Sequence, residues 1–148
     1  MTSPARIREL VPGDHDAVTA LWRACEGVVL REVDGREAIA RYLERNPGLS
    51  FLCEGADGAV VGAVLCGTDG RRGYLQHLAV APAHRRRGIG RALAARAVAA
   101  LAGRGIHKCH LLVVASNEAA RRFWLAAGWQ ERSDVRLMSH TASDRRDA

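Results

Sequence analysis

A chain of 148 residues is long enough for one domain with a core of its own, without disulfide or metal staples. At 48% hydrophobic and 26% charged it falls outside the disordered class, and no apolar run approaches the roughly 20 residues of a membrane span. The net charge of +6, carried by arginines with Lys108 as the only lysine, favours anionic ligands, but the arginines are dispersed and few aromatics lie among them, which speaks against nucleic acid.

In chain order, the segment before Ile7 holds no apolar signal region, and Ile7 to Val11 alternates as a short strand. Pro12, Gly13 and Asp14 turn the chain into a first helix, which Gly27 ends. Its apolar face is Val18, Leu21, Trp22 and Cys25, spaced i, i+3, i+4 and i+7. Val28 to Val33 has no period and reads as a connecting loop. Asp34 with Glu37 three residues later resembles a capping box, opening a second helix that runs through Arg45 and stops at Asn46-Pro47-Gly48.

Ser50 to Glu54, Ala59 to Cys66 and Gly73 to Val80 read as three strands joined by turns at Asp57-Gly58 and Asp69-Gly70. The middle strand is apolar almost throughout, which calls for cover on both faces. Gly62 within it marks a bulge, a close approach, or simply a small residue under a packed helix. A third helix carries Ile89, Leu93, Ala97 and Leu101 towards the core and ends at Gly103-Arg104-Gly105. Cys109 to Val114 reads as a strand, and Ser116 or Asn117 caps a last helix with Ala120, Phe123, Trp124 and Ala127 on one face. After Gly128, Trp129 to Glu131 and Val135 to Met138 are expected to form a closing hairpin. The polar tail from Thr141 to Ala148 is expected to be disordered, leaving one domain with an ordered core over about residues 5–139. Cys25, Cys53, Cys66 and Cys109 lack paired metal spacing and read as thiols in the reducing cytoplasm. His107-Lys108-Cys109-His110 leads into a strand that turns alternate residues to opposite faces, so no metal is expected there.

The stretch from Leu78 to Leu93 carries the chemistry. A strand end is followed by Pro82, three arginines at 85–87, Gly88, Ile89, Gly90 and a helix-forming run, so that loop and helix N–H groups converge on an anion. Gly88 and Gly90 let the backbone come close to a phosphate and adopt unusual angles. A Walker loop is excluded because the chain has no Gly-x-x-x-x-Gly-Lys-Ser/Thr string, and the dinucleotide fingerprint because Leu93 stands where its third glycine would fall.

Arg85, Gly88 and Gly90, in that context, resemble the acyl-coenzyme A loop Arg/Gln-x-x-Gly-x-Gly/Ala of the GNAT superfamily of N-acetyltransferases. Asn117, Ala120, Phe123, Trp124, Gly128 and Trp129 resemble the second signature of that family, Asn-x-x-Ala-x-x-Phe-Tyr-x-x-x-Gly-Phe. The resemblance extends from Ile7 to about Met138 and implies an α/β (α+β) fold, a mixed, strongly bent sheet of about six to seven strands flanked by four helices. It implies acetyl-CoA as cosubstrate, its pantetheine on main-chain groups of Leu78, Ala79 and Val80 between splayed fourth and fifth strands. The pyrophosphate would sit on Arg85, Arg86, Arg87, Gly88, Ile89, Gly90 and Arg91, and the channel would be lined by Asn117, Phe123 and Trp124. The first two helices and their loop would wall the site of a small-molecule or peptide amine, which attacks the thioester directly. The Leu78 N–H would hold the oxyanion.

Three positions depart from that pattern. Trp124 replaces the tyrosine that protonates the leaving thiolate, Gln76 stands where many members carry a catalytic glutamate on the fourth strand, and Leu112 stands where another branch carries one on the fifth. What remains is water held by Gln76, Tyr74 as candidate acid, and His77 as candidate base because histidine changes charge near neutral pH. Simple strand alternation instead turns His77 to the face opposite Gln76, packed under a helix. Two rivals stand beside the enzyme: a non-catalytic acyl-CoA sensor, and a basic toxin-type acetyltransferase acting on aminoacyl-tRNA. A homodimer is left open.

Overall fold

The computed structural model describes residues 5–144. Residues 1–4, the start of the segment expected to hold no signal region, and the last four residues of the polar tail, 145–148, lie outside the described residues; 141–144 are exposed and in neither helix nor strand. Five strands form one sheet in the order β1 (Arg6–Glu9), β2 (Phe51–Glu54), β3 (Val60–Thr68), β4 (Gly73–Val80) and β5 (Cys109–Leu111). The pairs are antiparallel up to β4, and β4 runs parallel to β5, which makes the sheet mixed. Four helices flank it: α1 (His15–Ala24), α2 (Arg36–Arg45), α3 (Ile89–Ala102) and α4 (Glu118–Ala126). None of the described helices is long and apolar enough to cross a membrane.

The sheet separates two cores. On one face α1 and α2 bring Val18, Leu21, Trp22, Ile39 and Leu43 against Leu52, Ala63, Leu65 and Ala79. On the other α3 brings Ile89, Leu93, Ala97 and Leu101 against Phe51, Val64, Cys66 and Leu75. β3, at the centre, is buried from Val61 to Gly67, as its unbroken apolar sequence requires. Gly62 proves to be a small residue under a packed helix: a Cβ there would stand 3.0 Å from Ile89 Cγ2 and from Leu93 Cδ1 of α3. Each fully buried Leu or Val stabilises the fold by about 1.5–3 kcal/mol, and these residues keep the sheet edges beside the site fixed.

The local differences from the sequence reading have physical causes. β1 stops at Glu9 because Leu10 turns into the α1 and α2 core, donating its N–H to the Ser50 carbonyl at 2.9 Å. Cys25 is buried one residue beyond α1 with its N–H on the Trp22 carbonyl at 3.1 Å. Asp34 does not cap α2; Gly35 does. Asp34 instead ends a 3-10 turn over Glu32–Asp34 and accepts the Arg31 N–H at 2.8 Å.

The sheet has five strands rather than six or seven, because β5 ends at Leu111 instead of Val114 and the hairpin expected over 129–138 is absent. A three-residue β5 offers too little edge for a further hairpin to extend, and an unsupported hairpin is marginal in water. Glu131 is tied to α4 by Arg121 at 2.9 Å, and Arg132 and Asp134 form a two-point ion pair at 2.8 Å that bends the segment. Val135, Leu137 and Met138 are therefore exposed.

Candidate active site

The centre of β4 departs from simple alternation. Leu65 stands opposite Gln76 but Ala63 stands opposite Ala79, so β4 spends one more residue than β3 over the same span. His77 absorbs the excess with a φ of 53°, in the left-handed region. Such a bulge turns the next side chain over. Gln76, opposite Leu65, faces the α1 and α2 side, and His77 is brought to that side too, its ring 5.1 Å from that of Trp22. Leu78 and Val80 pack on the α3 side and Ala79 on the α1 side. The alternation that set His77 opposite Gln76 is thus broken by the bulge. The Trp22 indole N–H locks it, donating to the His77 carbonyl at 3.1 Å.

β4 and β5 part at the same level. Their pairing ends at Leu75 and Leu111, and beyond it a cleft of about 200 Å³ opens between Gln76, His77 and Leu78 on one side and Leu112, Val113 and Val114 on the other. Glu26, Gly27 and Val28, after α1, and Asn117, Ala120 and Trp124, of α4 and its cap, complete the walls. The Ala81 N–H donates to the Val61 carbonyl at 2.8 Å, and Val80 stands opposite Gly62. Antiparallel pairing alternates, so the main-chain groups of Val80, and of Leu78 two residues earlier, turn away from β3 towards the gap. The Val80 carbonyl is taken by Arg85 Nε at 3.0 Å and by the Cys25 thiol at 3.5 Å.

Asp34 reaches this site from the turn before α2. Its Oδ1 accepts from His77 Nε2 at 2.8 Å while Oδ2 accepts the Arg31 N–H. Burial pushes the Asp34 carboxyl up, but the hydrogen bonds from His77 and the Arg31 N–H, with the charges of His77 and His15, outweigh it and hold the group below its ordinary value. It is therefore ionised at neutral pH. Asn117 Oδ1 accepts the Ala120 N–H at 3.0 Å, capping α4, and its Nδ2 lies where a Cβ on Gly27 would stand, 2.6 Å away. Gly27, at φ 83°, both turns the chain and lets α4 close on the cleft.

At the α3 N-terminus the two glycines of the cradle do different work. Gly88 has φ 79° and nothing within 4 Å of a Cβ position, so its need is conformational. Gly90 is buried, and a Cβ there would meet Phe123 Cζ at 3.3 Å and Val80 Cγ2 at 3.5 Å, so its need is the approach of α4. The first helical bond runs from the Ala92 N–H to the Gly88 carbonyl at 3.0 Å. The N–H groups of Ile89, Gly90 and Arg91 therefore precede the ladder and point out of the helix end. Arg86, at φ 65°, and Arg87 are exposed; Arg85 is spent partly on Val80, and Arg91 donates to the Ala126 carbonyl at 3.1 Å. Trp124 stacks edge-on with Phe123 and Trp129, both at 5.0 Å, and it both packs against the α3-side core and lines the cleft.

Of the residues singled out from sequence, Gln76, His77, Leu78, Asn117 and Trp124 meet at the cleft, and 85–91 form the helix end beyond it. Tyr74 does not line the cleft; it lies 5.9 Å from the His110 ring, two residues back along β4. Leu112 is on the cleft wall and largely exposed. Sequence reasoning missed Asp34, Glu26 and Gly27, whose local patterns are those of a helix cap and a helix stop. Cys66 is buried and its thiol pushed up to about 12, mainly by that burial, and Cys109 likewise to about 11, so neither offers a thiolate nucleophile.

The profile of the acetyltransferase (GNAT) family matches residues 15–129. An acetyltransferase of Pectobacterium atrosepticum is 40% identical over 114 residues, covering 76% of this chain and 79% of its own. Among solved structures, the PaiA N-acetyltransferase of Thermoplasma acidophilum in complex with coenzyme A superposes with a TM-score of 0.74 at 20% identity, covering 84% of this chain and 88% of that one. The aminoglycoside acetyltransferase AAC(6')-Iy, in complex with a bisubstrate analogue of CoA and acetylneamine, superposes with a TM-score of 0.73 at 19% identity over 95% of this chain and all of that one.

Proposed function

This chain belongs to the GNAT family of acetyltransferases, and on that premise we propose how it moves the acetyl group of acetyl-CoA to an amine. The reading rests on one observation: the bulge at His77 and the parting of β4 from β5 open a cleft walled by Trp124 of α4, and Phe123 of the same helix closes on Gly90 at the start of α3. The residues present fit an extended anionic thioester. Unpaired N–H groups of Ile89, Gly90 and Arg91, with Arg86 and Arg87 beside them, receive the pyrophosphate. Main-chain groups of Leu78 and Val80 receive the pantetheine amides, with Ala79 between them; Asn117 and Trp124 line the way in, and Phe123 packs behind them on Gly90.

Bound there, acetyl-CoA supplies the thioester carbon to which the amine nitrogen bonds as the C–S bond breaks, the departing thiolate taking up the proton that the amine gives up. The Leu78 N–H faces the gap and stabilises the carbonyl oxygen as it becomes anionic. His77 Nδ1 takes the proton of the attacking amine, directly or through a water oriented by Gln76. Trp124 can donate a hydrogen bond but not a proton, so the thiolate is protonated through His77 or solvent, with Tyr74 too far back to lead. Direct attack fits the raised thiols of Cys66 and Cys109, which offer no thiolate to carry the acetyl group.

The acceptor is a small-molecule or peptide amine that approaches past Glu26, whose carboxylate on the rim attracts its ammonium group. Making an alkyl ammonium neutral at pH 7 costs about 4.6 kcal/mol and an α-amine only about 1.4 kcal/mol, so a single imidazole base favours weakly basic amines. The four free thiols support a reading in which the protein works in the reducing cytoplasm. The test is coenzyme A release from acetyl-CoA with a panel of α-amines, polyamines and peptides. Turnover with an amine supports the reading; tight coenzyme binding with no turnover across the panel would make the protein a sensor instead.

A further inference from the structure

Asp34 is buried, lies 43 positions from His77 in sequence, and divides its two oxygens between two tasks. Oδ2 closes the turn through the Arg31 N–H, a purely structural bond. Oδ1 is not needed for the turn, yet it receives His77 Nε2 at 2.8 Å. Further contacts fix the unit. The Asp34 carbonyl bonds His15 Nε2 of α1 at 2.9 Å, and the Trp22 indole holds the His77 carbonyl at 3.1 Å. His77 Nδ1 has no hydrogen-bond partner among the described residues, and the side chain, 20% exposed, belongs to a residue that lines the cleft.

We propose that Asp34 is a positioning residue for the acetyl transfer: it holds the His77 proton on Nε2 and so leaves Nδ1 as the proton acceptor in the cleft. The inference rests on the reading of His77 as the base. Its chemistry follows from the inventory of donors. An ionised carboxylate has only acceptors, so a neutral imidazole beside it must put its one N–H on Nε2 and its lone pair on Nδ1. A carboxylate partner also steadies the imidazolium that exists once the amine proton has been taken. In sum one proton moves from the acceptor nitrogen to Nδ1 and later leaves to the thiolate or to solvent, while the Nε2–H stays on Asp34 throughout. Neither the bulge nor Trp22 can select the protonated nitrogen, because both act on the backbone of His77. Only Oδ1 does.

The decisive variant is Asp34→Asn, which keeps an oxygen for the Arg31 N–H and turns an amide NH2 towards His77. That donor makes Nε2 an acceptor and sends the proton to Nδ1, the wrong nitrogen. The expected result is a kcat about 100-fold or more lower, the scale of general-base catalysis, with KM for acetyl-CoA unchanged. In a His77→Ala background Asp34→Asn should cost nothing more in kcat. Long-range ¹H–¹⁵N correlation of the neutral wild-type imidazole should show Nε2–H, and the variant Nδ1–H, with the His77 signals identified by their loss in His77→Ala. Wild-type protein carrying Nδ1–H overturns the proposal even if Asp34→Asn fails to fold. So does an Asp34→Asn enzyme of full kcat, or one whose loss persists in the His77→Ala background, while the base reading stands. If His77→Ala alone keeps wild-type kcat, it is the base reading that falls.

Discussion

Replacing Gly88 by alanine isolates the conformational requirement of the cradle from every steric one. No atom lies within 4 Å of the Cβ to be added, so the substitution meets no neighbour. The residue nevertheless holds φ at 79°, where an alanine is strained by about 1–2 kcal/mol. That strain has two outlets. If the loop keeps its shape, the whole amount is taken from stability, and a chain of this length should melt about 2–8 °C lower. If the loop relaxes, the N–H groups of Ile89, Gly90 and Arg91 lose their common aim, and acetyl-CoA affinity falls by about 5- to 30-fold, the same free energy in binding. Calorimetric titration with acetyl-CoA and a thermal melt, run on one preparation, read both outlets, and their sum should return about 1–2 kcal/mol. Gly90→Ala is the control. Its φ is unexceptional, and the 3.3 Å contact with Phe123 asks the aromatic edge to give by a few tenths of an ångström. An unchanged Tm together with unchanged affinity in Gly88→Ala would refute the role of the left-handed residue.

Trp22→Phe removes the indole donor from the His77 carbonyl while keeping most of the buried ring, and leaving that carbonyl unpaired should cost about 1–3 kcal/mol in urea unfolding. An equally stable variant would mean that the bulge does not depend on this bond. The Asp14 carboxyl is held below its ordinary value chiefly by Arg8, which bonds both of its oxygens at 2.8 and 2.9 Å, with the Val11 N–H adding to this against the effect of burial. A depressed carboxyl contributes stability that is full above the unfolded pKa of about 3.9 and is lost as pH falls through the folded value. The gap in unfolding free energy between wild type and Asp14→Asn should thus be widest near pH 6 and close towards pH 3; a gap independent of pH would contradict the assignment.

The sequence by itself carried the two motifs that mark the family. Arg85 to Arg91 and Asn117 to Trp129 are contiguous stretches whose glycines, helix starts and apolar spacings act over a few residues, and short-range preferences survive in any tertiary setting that tolerates them. The four helices and the order of the first five strands were legible for the same reason: their periods are written within each segment. The closing hairpin does not form because Val135 and Leu137 have the strand period but no edge to join, and whether β5 offers an edge depends on where it leaves β4.

Tertiary structure alone decided which face Gln76 and His77 share. Period two sends His77 away from Gln76, and only the register of β3, where Ala63 and Leu65 face Ala79 and Gln76, shows the extra residue that brings both to one side. Asp34 was hidden more deeply. Its local pattern with Glu37 is that of a helix cap, whereas its actual bond crosses 43 positions to His77. A residue's local sequence limits the backbone shapes it can take, but its hydrogen-bond partner is chosen by packing. The α1 core draws Trp22 onto the bulge, and it is that packing which leaves an ionised carboxylate beside an imidazole at the mouth of the cleft.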